Sequence, residues 1–193
     1  SMNTHYLQEE LYRLVLSDRQ YFDFLHEGSL DGIWYWDLTA MEHEWMSPKF
    51  WITLGYNPND KEHRADAWQS IVYDEDLEAA KKNLQKHLAD PKHPYDQIVR
   101  CRHKNGFPIW IRCRGVAIRD EKTKEPIRML GAHVNVTKQM QASTMVTAMQ
   151  FQVEAQQMRG KSLEMQVELK ETKIQELEEQ VRQLQEAVDA LKR

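Results

Sequence analysis

Hydrophobic positions along the chain fall into three regimes. From about Asn3 to Glu27 they recur at Leu7, Leu11, Leu14, Val15, Phe22 and Leu25, which is one face of a helix of period 3.6. Such a stripe predicts an amphipathic flanking helix that lies on another surface. Between Gly32 and Thr137 short alternating runs take over. In "GIWYWDL" Trp34 and Trp36 share one strand face and Tyr35 and Asp37 the other, and a turn at "TAMEH" leads to a second strand near "EWMS". Short helical pieces follow through "PKFWITLGYNPND". The period becomes helical again over "YDEDLEAAKKNLQKHLAD", with Asp74 as the expected N-cap and acids placed early, where the helix dipole favours them. The stretch "DQIVRCRHKNGFPIWIRCRGVAIRD" predicts a hairpin turning at Asn105-Gly106, and "EPIRMLGAHVNVT" a last strand. No segment rich in proline, glycine or serine separates that strand from the helical pattern that begins at about Lys138.

This C-terminal pattern is the most regular in the chain. Ile174, Leu177, Val181, Leu184, Val188 and Leu191 keep a strict three-four spacing, with β-branched residues at a and leucine at d, the choice that favours a parallel two-stranded coiled coil. In this register Lys173 at g faces Glu178 at e of a second helix. Continued upstream, the register places Val146, Val153 and Val167 at a and Met149 and Leu163 at d, but also puts Gln156, Gly160 and Lys170 in the seam. The upstream half is therefore weak. A helix packed on its own domain needs a broader apolar face than this stripe offers.

Composition adds bounds to that picture. With 193 residues, 41% hydrophobic and a net charge of −4, the chain has room for one domain of modest size plus an elongated part. The division expected is 1–27 for the flanking helix, 28–137 for the domain and 138–193 for the coiled-coil helix. Apolar runs are too short for a membrane span or a signal-peptide core, and Ser1-Met2 reads as an expression remnant. Two cysteines inside strands, Cys101 and Cys113, predict reduced thiols and a cytoplasmic address. The acceptor pattern Asn135 to Thr137 carries little meaning without a secretory signal. Enzyme chemistry finds no constellation: Asp74, Glu75 and Asp76 read as a helix start, there is no glycine-rich phosphate loop, and His87 with His93 is too loose a pair for zinc.

Taken together, the blocks "DGIWYWDL", "WMSPKFWITLGY", "YDEDLEAA", "YDQIVRCRHKNGFPIWIRCRGVAIRD" and the closing "GAHVNVT" resemble the PAS sensor-domain family, in the subgroup with a C-terminal PAC motif, over roughly Glu27 to Thr137. The resemblance implies an α+β fold: a five-stranded antiparallel sheet in the order 2-1-5-4-3, helices over one face enclosing a small cavity, and flanking helices for dimerisation and output. It also speaks against two cofactors. The Asn-Cys-Arg-Phe-Leu-Gln motif of flavin-binding, light-sensing members is missing, and the strand positions that supply flavin-contacting amides there correspond to Cys101, Ile111 and His133. Haem-binding members use an axial histidine from a cavity-facing helix. His87 is the one residue in a matching helix, and a histidine on a surface helix is expected to be solvated. The cofactor, if any, is left unknown.

Alternation predicts an inner sheet face of Trp34, Trp36, Val99, Cys101, Ile111, Cys113, Gly131 and His133. These residues either line a modest pocket for a small-molecule ligand or fill the core. His133 is singled out as an imidazole beside two thiols, able to meet a ligand or to sense pH. On the outer face Arg100, Arg102, Arg112 and Arg114 lie side by side around Trp110 and need an anionic cover. Net acidity and few nearby lysines argue against nucleic acid, and the acids Glu9, Glu10, Asp18 and Asp23 of the N-terminal helix are the expected cover, from the same subunit or a partner.

The function expected is that of a homodimeric signal-transduction module, with the C-terminal coiled coil and the N-terminal helix as dimer contacts. A change at the inner face would pass along the last strand to Asn135 and Thr137, which cap or hold the outgoing helix, and on to an output domain beyond Arg193. In relatives that domain is often a histidine kinase or a diguanylate cyclase. Asn135 stands where the family usually has Asp, so a salt bridge known in relatives loses its charge. The rival expectation is a structural dimerisation scaffold whose core is filled.

Overall fold

The structure is a computed structural model and describes residues 4–28 and 31–193; the expectation for Ser1-Met2 lies outside the described residues. The chain divides into two compact units, residues 1–140 and 141–193.

In the first unit, β1 (Gly32–Asp37), β2 (Glu44–Met46), β3 (Tyr95–Arg102), β4 (Pro108–Arg119) and β5 (Pro126–Asn135) form one antiparallel sheet in the order β2-β1-β5-β4-β3. The β3–β4 hairpin turns as the Asn-Gly signal requires, with Gly106 at φ 96°, a left-handed conformation that a side chain rarely tolerates. Short helices α3 (Pro48–Thr53) and α4 (Ala65–Gln69) and the longer α5 (Asp74–Ala89) follow β2 and precede β3. Their apolar sides meet the inner face of the sheet in one core that includes Trp34, Trp36, Phe50, Leu54, Ile111 and Met129.

The outer face is covered by α1 (Tyr6–Ser17) and α2 (Arg19–Gly28). Leu7, Leu11 and Leu25 bury against Tyr35, Trp45 and Leu130, so the apolar stripe of the N-terminal segment lies on its own sheet. It does so as two helices where the sequence pattern gives one. Asp18 adopts extended backbone angles between them, and its side chain accepts from Gln20 N at 3.0 Å, a local bond that competes with helix continuation.

Two other expectations are corrected. Asp74 is the first helical residue of α5 and Tyr73 is its cap, without a side-chain cap bond; the three leading acids act through the helix dipole. The arginines are not covered by the N-terminal acids. Asp76 grips the Arg100 guanidinium in bidentate fashion at 2.9 and 3.0 Å, and Asp96 does the same to Arg112 at 2.9 and 2.6 Å. Arg100 and Arg102 lie over the Tyr73 ring, and Arg114 over Phe24. Glu10 does take an arginine, but it is Arg128 at 3.0 Å, which also donates to Asp37 at 2.9 Å.

The second unit consists of the helix α6 (Thr137–Lys192) beyond Met140. Among its described residues none is buried. No helix among the described residues is long and apolar enough to cross a membrane.

Candidate functional site

The strand register fixes the inner face before any side chain is considered. Trp34 pairs with Met46 and Gly131, Trp36 with Glu44 and Met129, Val99 with Ile111, and Cys113 with His133. Paired residues share a face, so all eight residues expected at the inner face converge there. Gly131 is required by a close approach: a Cβ on it would fall 1.8 Å from Trp34 Cε2, and one on Gly115 would fall 2.7 Å from Trp34 Cη2. The Trp34 indole therefore lies flat across β5 and β4, where only glycines admit it.

Between this face and the helices is a cavity of about 20 Å³, lined by seven of those eight residues, all but Gly131, together with Glu44, Phe50, Trp68 and Tyr95 among others. A volume of that size holds about one water molecule. Its wall is less apolar than the sequence suggests. Among the described residues, the buried side-chain nitrogens and oxygens without a hydrogen-bond partner are Trp34 Nε1, Glu44 Oε1, Trp68 Nε1 and His133 Nδ1, and all four residues line the cavity. Unpaired buried polar atoms are costly and uncommon; four around one void is a concentration that a filled apolar core does not need.

Glu44, 2% exposed, is the residue that sequence reading missed. Burial pushes its carboxyl up to about 8, opposed only by the Trp68 indole beside it, so the acid is largely uncharged at neutral pH. A signal for it existed. The alternation that sends Trp34 and Trp36 inward, carried across the β1–β2 turn, sends Glu44 inward too. His133, 6% exposed, is pushed by burial down to about 3 and stays neutral, its ring stacked on Phe50 at 4.4 Å between centroids. Cys101 and Cys113 are free and buried; burial raises Cys101 to about 12 and Cys113 well above the usual thiol range. Neither is a ready nucleophile.

His87 is buried, contrary to the expectation of a solvated ring. Its Nδ1 donates to the His93 carbonyl at 2.6 Å and its Nε2 accepts from Ala117 N at 3.1 Å, which ties α5 to β4 and leaves no lone pair for an iron. A flavin or a haem is also far larger than the void.

At the end of β5, Asn135 Oδ1 accepts from Thr137 N at 3.1 Å and from Thr137 Oγ1 at 2.6 Å, while Asn135 N donates to Asp31 at 2.7 Å. Thr137 Oγ1 in turn accepts from Trp110 N of β4 at 3.0 Å. The first residue of α6 is thus bonded to two strands. Further along α6, the side chains from Ile174 to Leu191 in the apolar stripe are 47–86% exposed. Lys173 pairs with Glu176 of its own helix at 3.8 Å.

The family model described as PAS fold matches residues 43–133. No protein of curated function matches the chain. Among solved structures, a sensory box histidine kinase/response regulator from Burkholderia thailandensis superposes with a TM-score of 0.57 at 23% identity, over 69% of this chain and 97% of its own. The N-terminal domain of a diguanylate cyclase with PAS/PAC sensor from Marinobacter aquaeolei gives a TM-score of 0.49 at 19% identity, over 56% and 97%. The strand order, the helices over the inner face and the family match agree, and residues 43–133 carry a PAS fold.

Proposed function

We propose that this chain is a sensory signal-transduction module that works as a dimer. A change of occupancy or charge in the inner cavity displaces β5, Asn135 and Thr137 pass the displacement to α6, and a parallel coiled coil carries it to an output domain. The observation that carries this reading is the placement of His133 in the cavity wall on the same strand that ends, two residues later, in the bonds holding the start of α6. The exposed stripe Ile174, Leu177, Val181, Leu184, Val188 and Leu191 supports a second copy of the chain as its cover, because alternating β-branched and leucine positions fit a two-stranded parallel partner. Sensor modules of kinase and cyclase type among the structural neighbours agree with it in kind.

The small volume of the cavity favours a second reading, a dimerising scaffold with a core that takes no ligand. Both readings need the dimer, so the first experiment is native mass spectrometry of the intact chain and of Val181→Asp. A dimer that the buried carboxylate at an a position converts to a folded monomer supports the coiled coil; a wild-type monomer overturns it. A cavity that takes up no small molecule, with α6 indifferent to the state of Glu44, leaves the scaffold.

A further inference from the structure

The cavity wall has a charge pattern that narrows what it accepts. Among the described residues no lysine or arginine lines it, and the ionisable groups that do are Glu44, Tyr95, Cys101, Cys113 and His133. Tyr95 and both thiols are raised by burial and His133 is lowered, so each of these stays neutral across the physiological range. The backbone of His63 also meets Glu44, donating nothing ionic: Glu44 N gives its proton to the His63 carbonyl at 3.3 Å. An anion placed here would meet no positive charge and one carboxyl group. A buried anion would find no partner charge here, which makes it costly.

A cation meets the opposite conditions. Glu44 Oε1 is buried, unpaired and at the wall of the void, and Trp34, Trp36, Trp68, Phe50 and Tyr95 surround that void with aromatic rings. Ring faces attract cations, tryptophan most strongly, and the attraction grows when water is excluded. A buried carboxylate in turn requires a partner charge, which no side chain supplies. We propose that the cavity is a binding site for a small alkylammonium cation, held by the Glu44 carboxylate within this aromatic cage, with His133 Nδ1 as a second acceptor for an ammonium N–H. The assignment deepens the sensor reading and rests on it for its biological meaning. Three of the four unpaired atoms, those of Glu44, His133 and Trp68, then have a use. The Trp68 indole lies beside the carboxyl and favours its ionised form, and the ammonium group takes the space of about one water. Trp68 itself is half-buried on the five-residue α4, and the proposal requires that short helix to give way to an alkyl substituent.

Binding of the cation must ionise Glu44, which sets a signature that simple apolar burial lacks: one proton leaves the protein for each ammonium bound below about pH 8. The test is titration of the full chain with methylammonium, ethylammonium and, as the neutral control, ethanol, followed by tryptophan fluorescence and by calorimetry in two buffers of different ionisation enthalpy. Expected are saturable binding of the ammonium ions with millimolar dissociation constants, as so few heavy atoms allow, affinity rising about tenfold from pH 6 to 7 and less steeply towards pH 8, and release of close to one proton at pH 7. Glu44→Gln abolishes the saturation and the proton release; the proton count in the wild type is decisive even if that variant folds poorly. Ethanol acting as well as ethylammonium, binding without proton release, or no saturation by either ammonium ion overturns the assignment. Failure here with an intact dimer leaves the sensor reading standing, whereas ammonium binding that leaves α6 unchanged overturns the sensor reading and keeps the site.

Discussion

Glu44 and His133 oppose each other in their response to pH, and the sign of each follows from its burial. Glu44 has its carboxyl raised from 4.5 to about 8 in the folded chain. Its neutral form is favoured by folding, so its contribution is complete below about pH 4.5 and is lost as pH rises through about 8. His133 is lowered from 6.5 to about 3. Its contribution is complete above about pH 6.5 and is lost as pH falls through about 3. Between about pH 4.5 and 6.5 the two slopes cancel. Above 6.5 only Glu44 acts, and one proton of linkage over that interval to pH 8 amounts to about 2 kcal/mol. Urea denaturation across pH 4 to 9 is expected to show a plateau, then a fall of that order toward pH 8 in the wild type. In Glu44→Gln the alkaline fall disappears and stability falls as pH drops below about 6.5, because the His133 slope is no longer cancelled; parallel curves for the two proteins would refute the burial of an ionisable carboxyl at this position. Asp37 makes a useful contrast. Burial raises it, but bonds from Thr39 and Tyr6 and the nearby Arg128 outweigh burial and hold it below the usual carboxylate range. Two acids seven positions apart, Asp37 and Glu44, are thus set in opposite charge states: both are buried, and only Asp37 has the partners that outweigh burial.

At the scale of elements, legibility followed periodicity. The strands of "GIWYWDL" and of the hairpin, the turn at Gly106 and the length of α6 were readable because each is fixed by alternation, by a turn residue or by an unbroken helical composition. The break at Asp18 was not, because the apolar stripe continues across it and only a side chain bonding to Gln20 N marks the end of α1. The cover over the arginines was misassigned for a related reason. Asp76 and Asp96 come close to Arg100 and Arg112 through the docking of α5 on β3 and the pairing of β3 with β4, and such proximity has no signature along the chain. His87 hides in the same way: one ring bonding a loop carbonyl and a strand amide looks, in sequence, like any helix histidine. For α6 the readable weakness is Gly160, whose α-carbon has nothing within 4 Å of a would-be Cβ. Glycine inside a helix costs about 1 kcal/mol relative to alanine. If α6 pairs as proposed, Gly160→Ala is therefore expected to raise the melting temperature of α6 without touching that of the globular unit, as two-transition calorimetry reads it. A drop would mean that the position needs the glycine for close helix approach.

For the molecule as a whole, the sensor reading depends on whether the charge state of the cavity is felt by α6. Glu44 supplies a stimulus that needs no ligand, since raising the pH from 6.5 to 8 places a charge in the cavity wall. His133 shares that wall, and β5 leads from it to Asn135 and Thr137. Thr137 Oγ1 is the atom on which the route converges, accepting from Trp110 N and donating to Asn135 Oδ1. Thr137→Val keeps the shape of the side chain and removes both bonds, at a cost of about 1 kcal/mol for the amide left without its partner. Hydrogen exchange of the first turns of α6, corrected for intrinsic rates, is expected to change between pH 6.5 and 8 in the wild type and in no such way in Glu44→Gln. In Thr137→Val the dimer mass and the alkaline fall in stability persist, so the carboxyl still titrates, but the exchange response of α6 is lost. A response that survives in Thr137→Val would send the coupling by another route, and its absence from the wild type would leave α6 as a dimerising element with nothing to report from the cavity.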